Sequence, residues 1–290
     1  METQELHLYT RTGDYIPRIA AVHDLCGYGK CSLGVAIPVL SAAGCDVCPV
    51  PTGLFSSHTA FPGWYMHDTT DMLVDYLAAW KNIGVEIDAV YSGFLGAPEQ
   101  VDRIRDLYSM YPNALRVVDP VMADHGKVYP TYTPELCDAM AELACGADIL
   151  TPNLTEAAII LGEEWPGTDI DDDTAKHMID GLLAKGAKNV VLKGIQREGE
   201  SCIRNFVAGQ HCEMFEAKNE YLPYMLHGTG DLYCSCLLAA VMAGKSLQEA
   251  VVFAGDFVHD AMIVSSKQPD FKERGVSFEL IIGKIADLLK

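Results

Sequence analysis

The stretch RIAAVHDLCGYGKCSLGVAIPVLSAAGCDVCPVP, residues 18–51, decides the fold. Its first seven residues, RIAAVHD (18–24), form a nearly unbroken apolar run that predicts a buried strand, and CSLGVAIPVLSAAG (31–44) predicts a helix ended by Gly44. CDVCPVP (45–51) then predicts a second strand. The same rhythm continues with a helix over 69–81, a strand over 87–94, a helix over 98–110, a strand over 114–120, a helix over 134–145 and a strand over 147–153. Helices over 154–161 and 173–185, a strand over 189–195, a hairpin across 201–217, and helices over 231–243, 246–264 and 276–289 complete it. Strands that are apolar throughout, alternating with helices, indicate a mostly parallel sheet covered on both faces. The expected fold class is therefore α/β, a three-layer α/β/α sandwich. No repeat, low-complexity tract or Gly/Ser/Pro linker divides the chain, so residues 1–290 are expected to form a single domain.

A formal net charge of −19 argues against nucleic acid or an anionic membrane as partner, since both would repel the chain at long range. An anionic ligand would need locally positive potential. No apolar run approaches the roughly 20 residues of a membrane-spanning helix, and METQELHLYTRTGDYIP at the start has no signal-peptide pattern. A cytoplasmic location is the expectation. Ten cysteines, many inside apolar segments, read as reduced core thiols, and CDVC (Cys45, Cys48) lacks a second pair to complete a zinc site. The acidic run DIDDD (169–173) reads as the solvated first turn of a helix.

In such folds ligands collect at the carboxyl ends of the strands. The residues there are His23 and Asp24, the loop 52–67, Ser92 to Gly96, Asp119 to Tyr129, Thr151 to Glu156, and Lys193. Gly27, Gly29 and Gly34 have the spacing G-x-G-x-x-x-x-G, which is not the dinucleotide fingerprint, and no phosphate-binding G-x-x-x-x-G-K-[ST] occurs. They suit a tight turn or the wall of a pocket.

In LHGTGDLYCS (226–235), a Gly-Thr-Gly turn opening a helix can aim several backbone N–H groups at one anion, aided by the helix dipole. Asp231, in the first turn, can take a proton from a hydroxyl attacking a bound phosphoryl group, or it can simply cap the helix. In TPNLTEA, Asn153 and Glu156 suit hydrated Mg²⁺ or, on spacing alone better, a reciprocal cap. In DPVMADHGKVYP, Asp119 and Asp124 can serve a metal or a ligand, or shape a turn. The segment PTGLFSSHTAFPGWYMHD (51–68) reads as a long functional loop in which Phe55, Phe61, Trp64 and Tyr65 could enclose a flat ring or make a dimer contact.

Taken in order, SSHTAF, YSGF, DPVMADHGKVYP, TPNLTEA and GTGDLY resemble the ribokinase superfamily, and within it the vitamin B6 branch, the pyridoxal/pyridoxamine kinases. The similarity runs from about Arg18 to Val264. The resemblance implies a ribokinase-like kinase that transfers phosphate from ATP to the hydroxymethyl group of pyridoxal, pyridoxamine or pyridoxine, with Mg²⁺ and, as a candidate third cofactor, a monovalent cation. It implies Asp231 as general base, the amides of Gly228 to Asp231, Gly230 included, as the anion hole, and Asn153, Glu156 and Asp119 as the metal set. It places Asp124, Tyr129, Thr151, Lys193 and Thr229 around ATP together with those residues, and His58 and Thr59 near the pyridine ring. Phe94 stands where the family usually has tyrosine, and Val22 or His23 where a serine often meets the pyridine, so His23 and Asp24 become candidates for ring recognition. A homodimer is expected.

The nearest rival is a hydroxymethylpyrimidine kinase, which typically has Cys where Asp231 stands. Sugar kinases of the superfamily would need an early lid insertion that this chain lacks. A non-catalytic nucleotide- or B6-binding protein of the same fold is a further alternative, although a mere binder has no need of the Asp231 base.

Overall fold

The structure, a computed structural model, describes residues 5–290; Met1 to Gln4, which begin the stretch read for a signal pattern, lie outside the described residues. Its strands are β1 (Arg18–Cys26), β2 (Asp46–Phe55), β3 (Met66–Asp68), β4 (Ala89–Ser92), β5 (Leu115–Val118), β6 (Ala123–Asp124), β7 (Lys127–Val128), β8 (Ile149–Leu150), β9 (Asn189–Gln196), β10 (Cys202–Gly209) and β11 (Cys212–Glu220). The helices are α1 (Leu33–Ala42), α2 (Thr70–Ile83), α3 (Pro98–Met110), α4 (Pro134–Ala144), α5 (Leu154–Leu161), α6 (Asp172–Ala184), α7 (Thr229–Met242), α8 (Leu247–Ser265), and the single turns α9 (Phe271–Arg274) and α10 (Gly283–Ala286).

Successive strand residues feed opposite apolar layers, as a period of two requires. Ala89 and Tyr91 face one core and Val90 the other; Val117 and Val118, and Ile149 and Leu150, divide in the same way. Helices α2 to α6 cover the first layer, while α1, α7 and α8 cover the second. Both faces are buried, which explains the continuous apolar runs.

The main sheet has the order β11-β10-β9-β8-β5-β4-β1-β2-β3, parallel from β9 to β2, with antiparallel β10, β11 and β3 at its ends. Strand β1 pairs with β2 on one side and β4 on the other, so the chain reverses its winding there and opens a crevice beyond the strand ends. Among the described residues no helix is long and apolar enough to cross a membrane.

Two expectations fail. The span 51–68 is not an open loop: β2 continues to Phe55 and pairs with β3 through Gly53–Asp68 and Phe55–Met66, which leaves a shorter connection. The helix expected over 276–289 begins late: residues 276–282 are irregular, and helical turns cover only Gly283–Ala286 and, as a 3-10 turn, Asp287–Leu289. Hydrogen bonds from Val276 N to His227 O (3.0 Å) and from Ser277 N to Ser265 Oγ (2.7 Å) hold the first half against other elements, so Val276 and Phe278 dock without a helix.

Candidate active site

Helix α7 is almost wholly buried: every residue from Asp231 to Met242 is enclosed. Its N-cap is Gly228, at φ 81°, where a Cβ would lie 2.0 Å from the Lys30 carbonyl oxygen. Only glycine combines that left-handed backbone with so close an approach. The first intrahelical bond runs from Leu232 N to Gly228 O at 2.9 Å, so the N–H groups of Thr229, Gly230 and Asp231 precede the helical ladder. No side chain caps this end. Thr229 Oγ1 instead donates backwards to Leu226 O (3.1 Å).

Asp231 is therefore not the cap that spacing allowed. It occupies the third helical position, 9% exposed, with Oδ1 buried and without a hydrogen-bond partner. Burial, reinforced by the negative charges of Asp119 and Asp24, pushes its carboxyl up to about 7, against the pull of the Ser32 backbone amide and Lys193. A carboxyl poised near neutrality in a cleft suits proton transfer.

Facing Asp231, Lys193 on β9 reaches over to Asp119 at the end of β5. The ion pair is 2.5 Å long, and Thr151 Oγ1 donates to the same Asp119 oxygen at 3.0 Å. Lys193 is held charged: burial disfavours the ammonium, but Asp119 and Glu156 outweigh it and raise its pKa. A Cβ built on Gly230 would stand 3.7 Å from the ammonium, so Lys193 lies against the first turn of α7. The other oxygen of Asp119, Oδ2, is buried without a partner.

The first turn of α5 is built in the opposite way. Asn153 Oδ1 accepts from Thr155 N (2.8 Å) and Glu156 N (2.9 Å), and Glu156 Oε2 accepts from Asn153 N (2.8 Å), a complete capping box. Asn153 Nδ2 donates to Ala123 O (2.8 Å). Oδ1 and one N–H of this amide are thus engaged within the protein, in the reciprocal cap that the spacing favoured, and Asn153 also lines the cavity. Glu156, 2% exposed, has its pKa raised chiefly by burial, yet its carboxylate still lines the cavity.

Apart from Thr151, which is fully buried behind Asp119 and does not reach it, these groups line one cavity of about 720 Å³, which also meets Asp124, Tyr129 and Thr229. The β6–β7 hairpin carries Asp124, and Asp124 Oδ1 accepts from His125 N at 2.9 Å. Burial raises the Tyr129 phenol above its usual range.

At the other end lie Asp24, His58, Thr59, Phe94 and Phe55. Register between β1 and β2 slips just after His23, where pairing passes from His23–Pro51 to Leu25–Leu54, and Asp24 at the slip turns into the cavity. Its carboxylate, 4% exposed, accepts from Ser32 Oγ (2.5 Å) and Cys26 Sγ (3.4 Å). Burial still raises its pKa, although those two donors oppose the shift.

His23 is a correction. It does not line the cavity but packs edge-on against Tyr91 (4.2 Å between centroids) and beside Gly93, with both ring nitrogens unpartnered and its pKa lowered by burial to about 3. His58 lines the cavity with its ring rather than with a nitrogen, because Nε2 bonds Glu273 O at 2.8 Å and Nδ1 accepts from Ala60 N at 3.3 Å. Of the four aromatics expected to enclose a ring, only Phe55 lines the cavity. Phe61 stacks on Tyr28 and His58, Trp64 packs behind Phe55, and Tyr65 is 65% exposed.

Sequence reasoning missed Ser32, Asn205 and Asn219, all on the cavity wall. The structure puts Ser32 at the N-cap position of α1, yet its side chain caps nothing and serves Asp24 instead. The two asparagines lie on β10 and β11, beyond the parallel strands whose carboxyl ends mark the expected ligand positions.

The profile of the phosphomethylpyrimidine kinase family matches residues 40–274. Pyridoxal kinase PdxY of Histophilus somni is 30% identical over 257 residues, covering 81% of this chain and 84% of the relative. A Bacteroides thetaiotaomicron protein, provisionally classed as a phosphomethylpyrimidine kinase and crystallised with pyridoxal, is 33% identical at a TM-score of 0.89, covering 93% and 96% of the two chains. Pyridoxal kinase from Lactobacillus plantarum is 26% identical at a TM-score of 0.86, covering 94% and 98%. With its ribokinase-like sandwich and an acid-bearing glycine turn at the start of α7, the chain belongs to the phosphomethylpyrimidine kinase family and stands there with the pyridoxal kinases.

Proposed function

We propose that this chain transfers the γ-phosphoryl group of ATP to the hydroxymethyl oxygen of a B6 vitamer. The observation that carries the reading is Asp231: a buried carboxylate with a free oxygen, at an uncapped helix start, within the field of Lys193. Asp231 takes the hydroxyl proton while the hydroxymethyl oxygen bonds the γ-phosphorus and the bond to the bridging oxygen of ADP breaks. The N–H groups of Thr229, Gly230 and Asp231, with the positive end of the α7 dipole, hold the oxygens of the transferring group. Lys193 adds the positive potential that a chain of net charge −19 otherwise lacks.

The donor set fits Mg²⁺: Asp119 Oδ2 is buried and unpartnered, and Glu156 lies on the same cavity wall. Magnesium, when bound, neutralises charge on the phosphate oxygens. Asn153 supports that set by fixing the first turn of α5. A monovalent cation beside the nucleotide belongs to the same proposal. Asp124, Tyr129 and Thr229 flank the nucleotide, with Thr151 holding Asp119 from behind rather than touching the nucleotide, while Phe94, Phe55 and the ring of His58 enclose the pyridine, with Asp24 and Thr59 as its polar contacts. A homodimer in the cytoplasm completes the reading, supported by exposed Trp64 and Tyr65 beside edge strand β3.

ATP consumption measured in parallel with pyridoxal, pyridoxamine, pyridoxine and hydroxymethylpyrimidine tests the reading. Turnover of B6 vitamers is expected. Turnover of the pyrimidine alone would overturn the substrate and leave the kinase standing; turnover of none would overturn both.

A further inference from the structure

Asp24, Cys26 and Cys31 converge at the vitamer end of the cavity, and none of the chemistry above uses the two thiols. One ligand atom from each lies within 4.8 Å of the others, and all three residues line the cavity. Two come from the end of β1 and the third from the glycine turn that leads into α1. Their spacing is local, D-x-C-x-x-x-x-C.

A zinc ion bound tetrahedrally at zinc–sulfur and zinc–oxygen distances of about 2.3 and 2.0 Å holds a sulfur and an oxygen about 3.5 Å apart, and two sulfurs about 3.7 Å apart. Cys26 Sγ and Asp24 Oδ2 are already 3.4 Å apart, and the triad as a whole needs to close by only about 1 Å. Ser32 Oγ donates to Asp24 Oδ1, leaving Oδ2 for the ion and fixing the carboxylate as the outer partners of metal sites do. The fourth position faces the cavity, and two thiolates with one carboxylate select a soft or borderline cation over Mg²⁺.

We propose that Asp24, Cys26 and Cys31 form a binding site for one thiophilic divalent cation, of the zinc class, that closes the vitamer end of the cavity. Binding replaces two thiol protons with the metal and engages Asp24, so the ion and the vitamer exclude each other. The inhibitory half of this inference rests on the reading of the site as a B6 kinase; the binding half does not.

The test uses the full chain, kept reduced by a phosphine. Titration with Co²⁺ alone is expected to give one equivalent of bound ion, with thiolate-to-cobalt charge transfer in the near ultraviolet and intense tetrahedral bands in the visible. Zn²⁺ should bleach both. Cys26→Ser and Cys31→Ser should each weaken Zn²⁺ binding at least about 10-fold, the change that loss of even an outer partner brings, while Cys48→Ser, in β2 away from the cavity, should leave it unchanged. Thermal melts compare the folding of all three variants. Failure of wild type to show sulfur-to-cobalt transitions, or Zn²⁺ affinity unchanged in both cavity-cysteine variants, would overturn the site. Zn²⁺ at saturating MgATP should raise the apparent KM for pyridoxal with little change in kcat; a fall in kcat alone would overturn the exclusion while the spectra still report the site.

Discussion

Helices α5 and α7 begin at neighbouring points of the same crevice, and each carries an acid at its third position. In α5 that acid, Glu156, returns to the backbone of its own cap, and Asn153 satisfies the amides of Thr155 and Glu156. In α7 the cap is a glycine with no side chain to offer, and Asp231 makes no return bond. A capped helix end has used its polar groups on itself. An uncapped one keeps both the N–H groups and the carboxylate for a ligand, and the cost of that availability is visible in the raised pKa of Asp231.

The largest effect is expected from removal of the buried cation beside the start of α7. Lys193→Met should cost about 3–5 kcal/mol, since it strands Asp119 as an uncompensated buried charge; a chemical denaturation midpoint close to wild type would refute that pairing. A second effect has the opposite sign. Native Asp231 holds its proton up to about pH 7 while the unfolded chain releases it near 3.8. Its stabilising contribution is therefore full below the unfolded value and lost as pH rises through 7. Asp231→Asn should thus melt higher than wild type at pH 8, by on the order of 2–4 kcal/mol in stability, and the gap should narrow towards pH 5. A gap that widens on acidification would contradict the assigned environment. The smallest effect belongs to α5: Asn153→Ala should lose roughly 1 kcal/mol, the value of a cap. If it loses far more turnover than stability, Asn153 has a chemical role beyond its cap.

Much of this contrast was legible in the sequence, but unevenly. The alternation of RIAAVHD, IDAVYSGF and ALRVVDP indicated the sandwich, because strands buried on both faces cannot show polar alternation. That same property hid the difference between His23 and Asp24: with both faces apolar, period two does not say which residue meets the cavity, and the deciding register slip depends on β2. Asn153 with Glu156 offered a cap or a metal site, and the complete box decided for the cap at Asn153. Asp231 offered a cap or a base, and Gly228 took the cap position. In the aromatic segment, composition pointed to the right region while pairing of β2 with β3 turned Tyr65 outward and left Phe55 as the cavity wall.

The role proposed for Asp231, taking the proton during phosphoryl transfer, is tested by single-turnover formation of the 5′-phosphate from pyridoxal at saturating MgATP, compared across pH in wild type and Asp231→Asn. The wild-type rate is expected to rise through about pH 7, and the variant to be slower by roughly 10²–10⁴-fold with no such rise and nucleotide affinity within a few-fold of wild type. A variant that transfers phosphate at near wild-type speed, or that keeps the same pH dependence, would contradict it.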